Sequence, residues 1–114
     1  SITLGATITI TGENSSVVQC GAGDDTKIIT STVTLSSPVT VDTIFTVGVV
    51  YSINGSCTTS LGSATTDVTI LAGQTSGNSP DCFGGAPSFP SEITAVICSS
   101  TVTGHNNVVD TIIL

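Results

Sequence analysis

Few side chains in this sequence could take part in acid–base chemistry. The 114 residues include one Lys, Lys27, one His, His105, no Arg, and eight Asp and Glu residues. His105 lies in Gly-His-Asn-Asn, which is typical of a solvated turn. Nucleophilic catalysis needs a nucleophile, a base and an orienting acid within hydrogen-bond reach, and Ser is so frequent here that one near His105 would indicate nothing. We therefore predict that the protein is not an enzyme and has no catalytic residue and no cofactor.

The acidic residues offer one candidate cation site, Asp24 and Asp25, which follow a Gly-Ala-Gly loop. Ca²⁺ takes about six to eight oxygen ligands, and this pair lacks the alternating acidic pattern of a calcium loop. We predict an acidic turn and no metal site, and leave weak calcium binding open. Asp42, Asp67 and Asp110 stand singly within predicted strands, where an outward charge discourages edge-to-edge pairing.

Four cysteines form an even set with wide spacings and no Cys-x-x-Cys pair, which favours two disulfides over a zinc site. Two disulfides imply an oxidising compartment, and hence an extracellular or cell-surface location. Three pairings are possible. We favour Cys57–Cys82, which would close the central loop region, and Cys20–Cys98, which would tie an early segment to a late strand.

Lys27 suggests a second kind of cross-link. In some pilin-like sandwiches a buried Lys bonds covalently to Asn beside a catalytic acid. Asn106, Asn107 and Asp110 could be its partners if the last strand lay beside residues 27–35. Because Lys is rarely buried, we predict a surface Lys27 and no isopeptide bond.

The net charge of −7 argues against two classes of partner. Non-specific nucleic-acid binding and attraction to anionic membranes both depend on clustered Lys and Arg, which this chain lacks. The sequence also has no apolar run of about 18 residues and no signal-peptide pattern. We expect no nucleic acid and no membrane insertion, and interpret the chain as a processed product or one module of a longer protein.

The elements that must position these residues are strands. Ser and Thr make up about a third of the chain and alternate with Val, Ile and Leu, a period of two that is typical of half-buried strands. The alternation shifts near Asp42 and Thr43, which indicates a bulge or a corner. Residues 12–16 have turn chemistry, and the predicted strands are 2–11, 17–20, 27–35, 39–53, 64–71, 93–102 and 108–114. This spacing predicts one domain, 1–114, with an all-β fold: an antiparallel immunoglobulin-like β-sandwich stapled by disulfides.

Two segments resemble a known family. Residues 30–52 contain Leu-Ser-x-Pro-Val-x-x-Asp and a long strand, and residues 65–79 contain Val-Thr-Ile-x-Ala-Gly-Gln-Thr-Ser; together they cover about a third of the chain. This order is similar to Calx-β and related immunoglobulin-like repeats, above all those in giant surface adhesins of gliding bacteria. The resemblance implies an extracellular spacer or adhesive unit in a long array. The acidic clusters of calcium-binding Calx-β domains are not evident, and the four cysteines are not part of that pattern.

We therefore expect a structural or adhesive extracellular module, either a repeat of a large cell-surface adhesin or the subunit of an extracellular filament. Its partners would be neighbouring copies or modules, and surface glycans. We expect the apolar terminal strands to pair within their own sandwich, with strand exchange into a homopolymer as the other possibility.

The alternative function is a carbohydrate-binding module. Such modules present exposed aromatic rings to sugars, and only Tyr51, Phe83 and Phe89 could serve. Asn14 and Asn54 match the N-glycosylation pattern, which would place them at the surface.

Overall fold

The structure is a computed structural model that describes residues 7–20, 26–79, 88–90, 92–107 and 109–114. The described residues form eight strands and no helix. The strands are β1 Thr7–Gln19, β2 Thr26–Leu35, β3 Thr43–Ser52, β4 Leu61–Ile70, β5 Ser76–Asn78, β6 Ser88–Pro90, β7 Val96–His105 and β8 Thr111–Ile113.

The strands form two sheets that pack against each other. The first sheet has the order β5-β2-β1-β8, with β6 also paired to β2, and the second sheet has the order β4-β3-β7. All strand pairs are antiparallel except β1 with β8, where Thr7–Thr9 run parallel to Thr111–Ile113. The predicted antiparallel β-sandwich is confirmed, with eight strands instead of about seven.

The core is built mainly from β-branched side chains, as the scarcity of aromatic residues requires. The predicted inward positions of β2 are all buried, and the inward residue Ser31 is 1% exposed. On β4, Val68 and Ile70 are buried as predicted. The core cluster comprises Ile8, Ile29, Val33, Leu35, Val39, Phe45, Val47, Val49, Val68, Ile70 and Phe89.

Strand β1 differs from its predicted course. The turn expected at 12–16 is instead the middle of a continuous strand, because β2 pairs with these residues from Glu13 opposite Val33 to Gln19 opposite Lys27. The register shifts between Ile10 and Gly12, which makes Thr11 the extra residue of a bulge. The bulge inverts the alternation, so that even positions face inward before it and odd positions after it.

The parity shift near Asp42 is a corner that leads into β3. Val39 is buried there outside any strand, and its N–H donates to the Gln74 carbonyl at 3.2 Å. The Gly73 N–H donates to the Val39 carbonyl at 2.8 Å, and the Ala72 N–H donates to Asp42 Oδ1 at 2.8 Å. The corner at residues 38–42 is therefore fixed to the turn that follows β4.

Gly77 supports a prediction about how closely the sheets approach. A Cβ atom at Gly77 would collide with the carbonyl of Thr69, a main-chain group of β4 that cannot move aside easily. We expect Gly77→Ala to lower the free energy of unfolding by about 1–3 kcal/mol, the usual cost of overpacking. The measurement is urea unfolding with disulfides intact. Gly104→Ala is the control, since a Cβ there meets nothing within 4 Å; equal midpoints for the two variants would contradict the prediction.

Candidate functional site

A disulfide joins the loop between β3 and β4 to strand β7. The bond links Cys57 to Cys98 with an S–S distance of 2.03 Å and a Cα–Cα distance of 5.7 Å. Val50 pairs with Ser99 and Tyr51 with Ile97, so Cys98 is the extra residue of a bulge in β7. A bulge redirects the side chain of its extra residue, and this one brings the Cys98 sulfur to the loop.

The loop that carries Cys57 is held by Asn54. The Nδ2 group of Asn54 donates to Thr59 Oγ1 at 2.7 Å and to Ser60 Oγ at 3.2 Å, while its Oδ1 accepts from the Ser56 N–H at 3.1 Å. These bonds close the loop around Cys57 from both sides. They also engage Asn54 Nδ2, the atom to which an N-linked glycan would be attached. Asn14, the other residue that matches the glycosylation pattern, is exposed on β1.

The favoured disulfide pairing was wrong, because Cys57 is bonded to Cys98 and not to Cys82, and Cys98 is therefore not bonded to Cys20. The reason is topological: β7 is the sheet neighbour of β3, so Cys98 lies beside the end of the β3–β4 hairpin. Cys20 is also disulfide-bonded. Cys82 lies outside the described residues.

A row of polar side chains crosses the interior between the sheets. Ser15 Oγ and Ser31 Oγ are 2.7 Å apart, and Thr66 Oγ1 donates to Ser31 Oγ at 2.9 Å. Ser15 Oγ donates to Glu13 Oε1 at 3.3 Å, and Ser100 Oγ donates to Glu13 Oε2 at 3.0 Å. Glu13, Ser15, Ser31, Thr66 and Ser100 are called the polar row below; they come from β1, β2, β4 and β7.

The hydrogen bonds of the polar row have one consistent direction. Each hydroxyl has a single proton. Ser15 gives its proton to Glu13, so the proton between Ser15 and Ser31 must come from Ser31, which in turn accepts from Thr66. Every hydroxyl dipole therefore points toward the Glu13 carboxylate, and hydrogen bonds to a charged acceptor are the stronger kind.

The outward face of the second sheet forms a shallow depression along β3, called the outer trough below. One part, about 500 Å³, has Gly48 and Val50 on its floor and hydroxyls on both sides: Ser63 and Thr65 from β4, Ser99 and Thr101 from β7. The adjoining part, about 550 Å³, is lined by Ile44, Thr46, Asp67, Thr103, Gly104, His105 and Asn106. The trough offers many hydroxyl donors and acceptors beside a small apolar floor and one carboxylate.

Gly48 determines the depth of the outer trough. A Cβ atom there would lie 2.7 Å from Thr103 Cγ2, so any larger residue would fill the floor and push that side chain aside. Gly48 lies in the longest predicted strand, 39–53, and no role was predicted for it. A single Gly within a strand is the signal that could have identified it, since such a residue often marks a close approach to the backbone.

His105 is not the solvated turn residue that was predicted. It is the last residue of β7, because Gly104 and His105 still pair with Thr46 and Phe45. The ring is half-buried, with its centroid 5.5 Å from that of Phe45, and Nδ1 is buried without a hydrogen-bond partner in the described part of the chain.

The acidic residues have different environments. Asp67 is exposed on β4, as predicted, and its Oδ1 accepts from Thr46 Oγ1 at 3.4 Å. The prediction of an outward charge within a strand was wrong for Asp110, which is buried just before β8 and accepts from the N–H and Oγ1 of Thr40 at 2.9 and 3.1 Å. Asp42 is exposed but lies in the corner outside the strands.

The predicted cation site can be compared with the structure only in part. The predicted turn with Asp24 and Asp25 lies outside the described residues. Within the described ranges no group of three or more His, Cys, Asp or Glu side chains could hold a metal ion.

Lys27 is half-buried, and its Nζ donates to the Ile93 carbonyl at 3.1 Å. Strand β1 lies between β2 and β8, so the last strand is not beside residues 27–35 as an isopeptide bond to that region would require. Asn106 instead accepts from the Ile44 N–H at 2.6 Å, and Asn107 donates to the Asp42 carbonyl at 2.5 Å.

Two of the aromatic residues predicted for sugar stacking, Tyr51 and Phe89, pack against each other. Phe89 is 8% exposed, and its ring meets Tyr51 edge-on at a centroid distance of 5.0 Å. Each ring is thus packed against the other and against the core. Phe83 lies outside the described residues.

No protein-family model, curated protein or solved structure matches this chain. The Calx-β resemblance therefore stays a prediction. The described residues also include no helix that is long and apolar enough to cross a membrane.

The polar row supports a prediction about stability. In Glu13→Gln one acceptor oxygen becomes an NH₂ group, so Ser15 or Ser100 loses its acceptor inside the sandwich. We expect a loss of about 1–3 kcal/mol in the free energy of unfolding, measured by urea titration. Glu92→Gln removes the same charge at an exposed site and should change stability by about 0.5 kcal/mol or less. Equal effects of the two substitutions would show that the row does not stabilise the fold.

Proposed function

We propose that this chain is a structural, adhesive extracellular module, either a repeat of a large cell-surface adhesin or the subunit of an extracellular filament. The observation that carries the proposal is the disulfide-stapled second sheet, which presents the outer trough on its free face. A disulfide persists in an oxidising environment, which supports a site outside the cytosol. The β-branched core and the closed loop at Cys57 favour a rigid unit that resists proteolysis.

The outer trough is the surface best suited to adhesion. Its walls carry exposed Ser and Thr side chains, which can donate and accept hydrogen bonds without strong charge. Contacts of this kind are weak singly and strong when many copies act together, as in an array or a filament. Surface glycans, whose hydroxyls need both donors and acceptors, are the ligand class we propose. A carbohydrate-binding module that relies on ring stacking is less favoured, because Phe89 is buried.

The cellular location tests the proposal directly. Antibodies raised against this chain should label the surface of intact source cells by immunogold electron microscopy, without permeabilisation. Material released from that surface should appear either as long regular fibres, which indicate a filament subunit, or as beads on a string, which indicate repeats. Labelling confined to the cell interior would contradict the proposed function.

The outer trough can be tested separately. Thr65→Arg with Thr101→Arg places two long side chains across the trough at exposed positions. We expect beads that carry many copies of this variant to lose binding to glycan-coated surfaces by about tenfold or more, since multivalency amplifies each lost contact.

The matched control for the trough is Asn14→Arg with Ser16→Arg, which adds the same charge at exposed positions on the first sheet. Control beads should bind like the wild type. Equal binding by the trough variant and the control would contradict the role of the trough. Thermal unfolding of both variants verifies that they are folded.

A further inference from the structure

The parallel pair formed by β1 and β8 has a mechanical consequence. Thr7, Ile8 and Thr9 run beside Thr111, Ile112 and Ile113 in the same direction. A chain under tension is pulled backward at the start of β1 and forward at the end of β8. In a parallel pair these two forces act along the strand axes in opposite directions, so they load the inter-strand hydrogen bonds together in shear. In an antiparallel pair of terminal strands the bonds would break one after another.

We propose that the β1–β8 pair is the mechanical clamp of this module, the contact that resists tension applied to its two ends. The inference rests on the proposed function, because only a unit of an array or filament carries tension through both of its ends. It extends that function by identifying where force enters the fold and which contacts resist it.

The β1 side of the clamp is held from its other edge as well. The Thr9 N–H donates to Ser36 Oγ at 2.9 Å, and the Ser36 N–H donates to the Thr9 carbonyl at 2.8 Å. Successive residues of a strand direct their main-chain groups to opposite edges, so Ile8 directs its own toward β8. The Ile8 side chain is fully buried in the core, and Ile112 packs against the same cluster. Sliding the clamp therefore means moving Ile8 out of the core.

The β8 side is anchored at its root. Asp110, the residue before β8, accepts from both the N–H and the Oγ1 of Thr40. Thr40 lies in the corner at residues 38–42. Main-chain hydrogen bonds of Val39 connect this corner to the turn after β4. Force on β8 thus passes into the main body of the sandwich at Asp110, as well as into β1.

The disulfides limit how far the module can lengthen once the clamp fails. Cys57 and Cys98 are 41 residues apart in sequence and Cys20 is also disulfide-bonded, so together the disulfides withhold at least about 140 Å of extended chain. The clamp and the Cys57–Cys98 disulfide lie on different strands and act in sequence: the first resists the onset of unfolding, and the second limits its extent.

Single-molecule force spectroscopy on the whole chain tests the clamp without changing its packing. One handle is attached at the N-terminus. The second is attached through the same unnatural residue at position 114 or at position 109, both of which are exposed. Force through position 114 shears β1 against β8, whereas force through position 109 acts at the root of β8, beside the start of β1, and peels the strands apart.

We expect the unfolding force through position 114 to exceed that through position 109 by about twofold or more at equal pulling speed, because forced unfolding follows the unfolding barrier. Thermal midpoints of the two labelled proteins should agree. Reduction should lengthen the released chain by about 140 Å or more. Equal forces in the two geometries would overturn the clamp, and an unchanged length after reduction would overturn the extension limit.

These outcomes are distinguishable from failure of the proposed function. Equal forces would overturn the clamp while surface labelling and trough binding persisted. Labelling inside the cell would overturn the proposed role of the clamp in an array, even if the force difference were found.

Discussion

The need of the buried Ser31 hydroxyl for hydrogen-bond partners governs the course of β1. Ser31 lies at an inward position of β2 and is 1% exposed, so its hydroxyl needs partners from both sheets. The bulge at Thr11 turns Glu13 and Ser15 inward, so that Ser15 is the partner of Ser31 from the first sheet, and Thr66 is its partner from the second. Without the bulge, Asn14 and Ser16 would face the interior and Glu13 would face solvent. The strand register, the bulge and the polar row are thus consequences of one constraint.

The alternation of side chains predicts the fold where strands are regular and fails where they are not. From Ile29 to Leu35 strand β2 follows a period of two, and β4 does so up to Ile70, so the apolar inward residues there could be assigned correctly from sequence. The inward residues of β1 could not be assigned in this way, because the bulge inverts the pattern. The sequence of β1 therefore resembles two short strands separated by a turn. Glu13 was consequently assigned to a turn. Ser31 was the available signal, as a hydroxyl on an otherwise apolar face that must be paired with something.

The disulfide and the acidic residues show the limit of local patterns in another way. The Cys57–Cys98 bond depends on β7 lying beside β3, and such a neighbour relation between distant strands leaves no trace in residue spacing. The same holds for Asp110, whose partner Thr40 is 70 residues away in sequence. From sequence alone, a charged residue near a strand is assigned to the surface, because the distant hydrogen-bond donor that allows its burial is not known.

The two segments that carry the family resemblance form one physical feature. Val39, from the Pro-Val-x-x-Asp segment, is joined by main-chain bonds to Gly73 and Gln74 from the Ala-Gly-Gln segment, and Asp42 accepts from Ala72. Gly73 has φ +84°, a conformation that favours Gly. The pattern therefore encodes a corner that turns the chain between the sheets, and its co-occurrence along the sequence has a structural reason.

Three kinds of connection hold different parts of the sandwich. The disulfide acts within the second sheet, the polar row acts between the sheets, and the corner fixes the end where β8 begins. In the described ranges strand β8 pairs with three residues of β1, whereas β3 pairs with ten of β4. A body braced in this way should yield first at β8 when pulled by its ends, since that is where the fewest main-chain bonds join a terminal strand to the rest. Unfolding under tension thus begins at the short parallel pair, while the other connections keep the rest of the sandwich rigid.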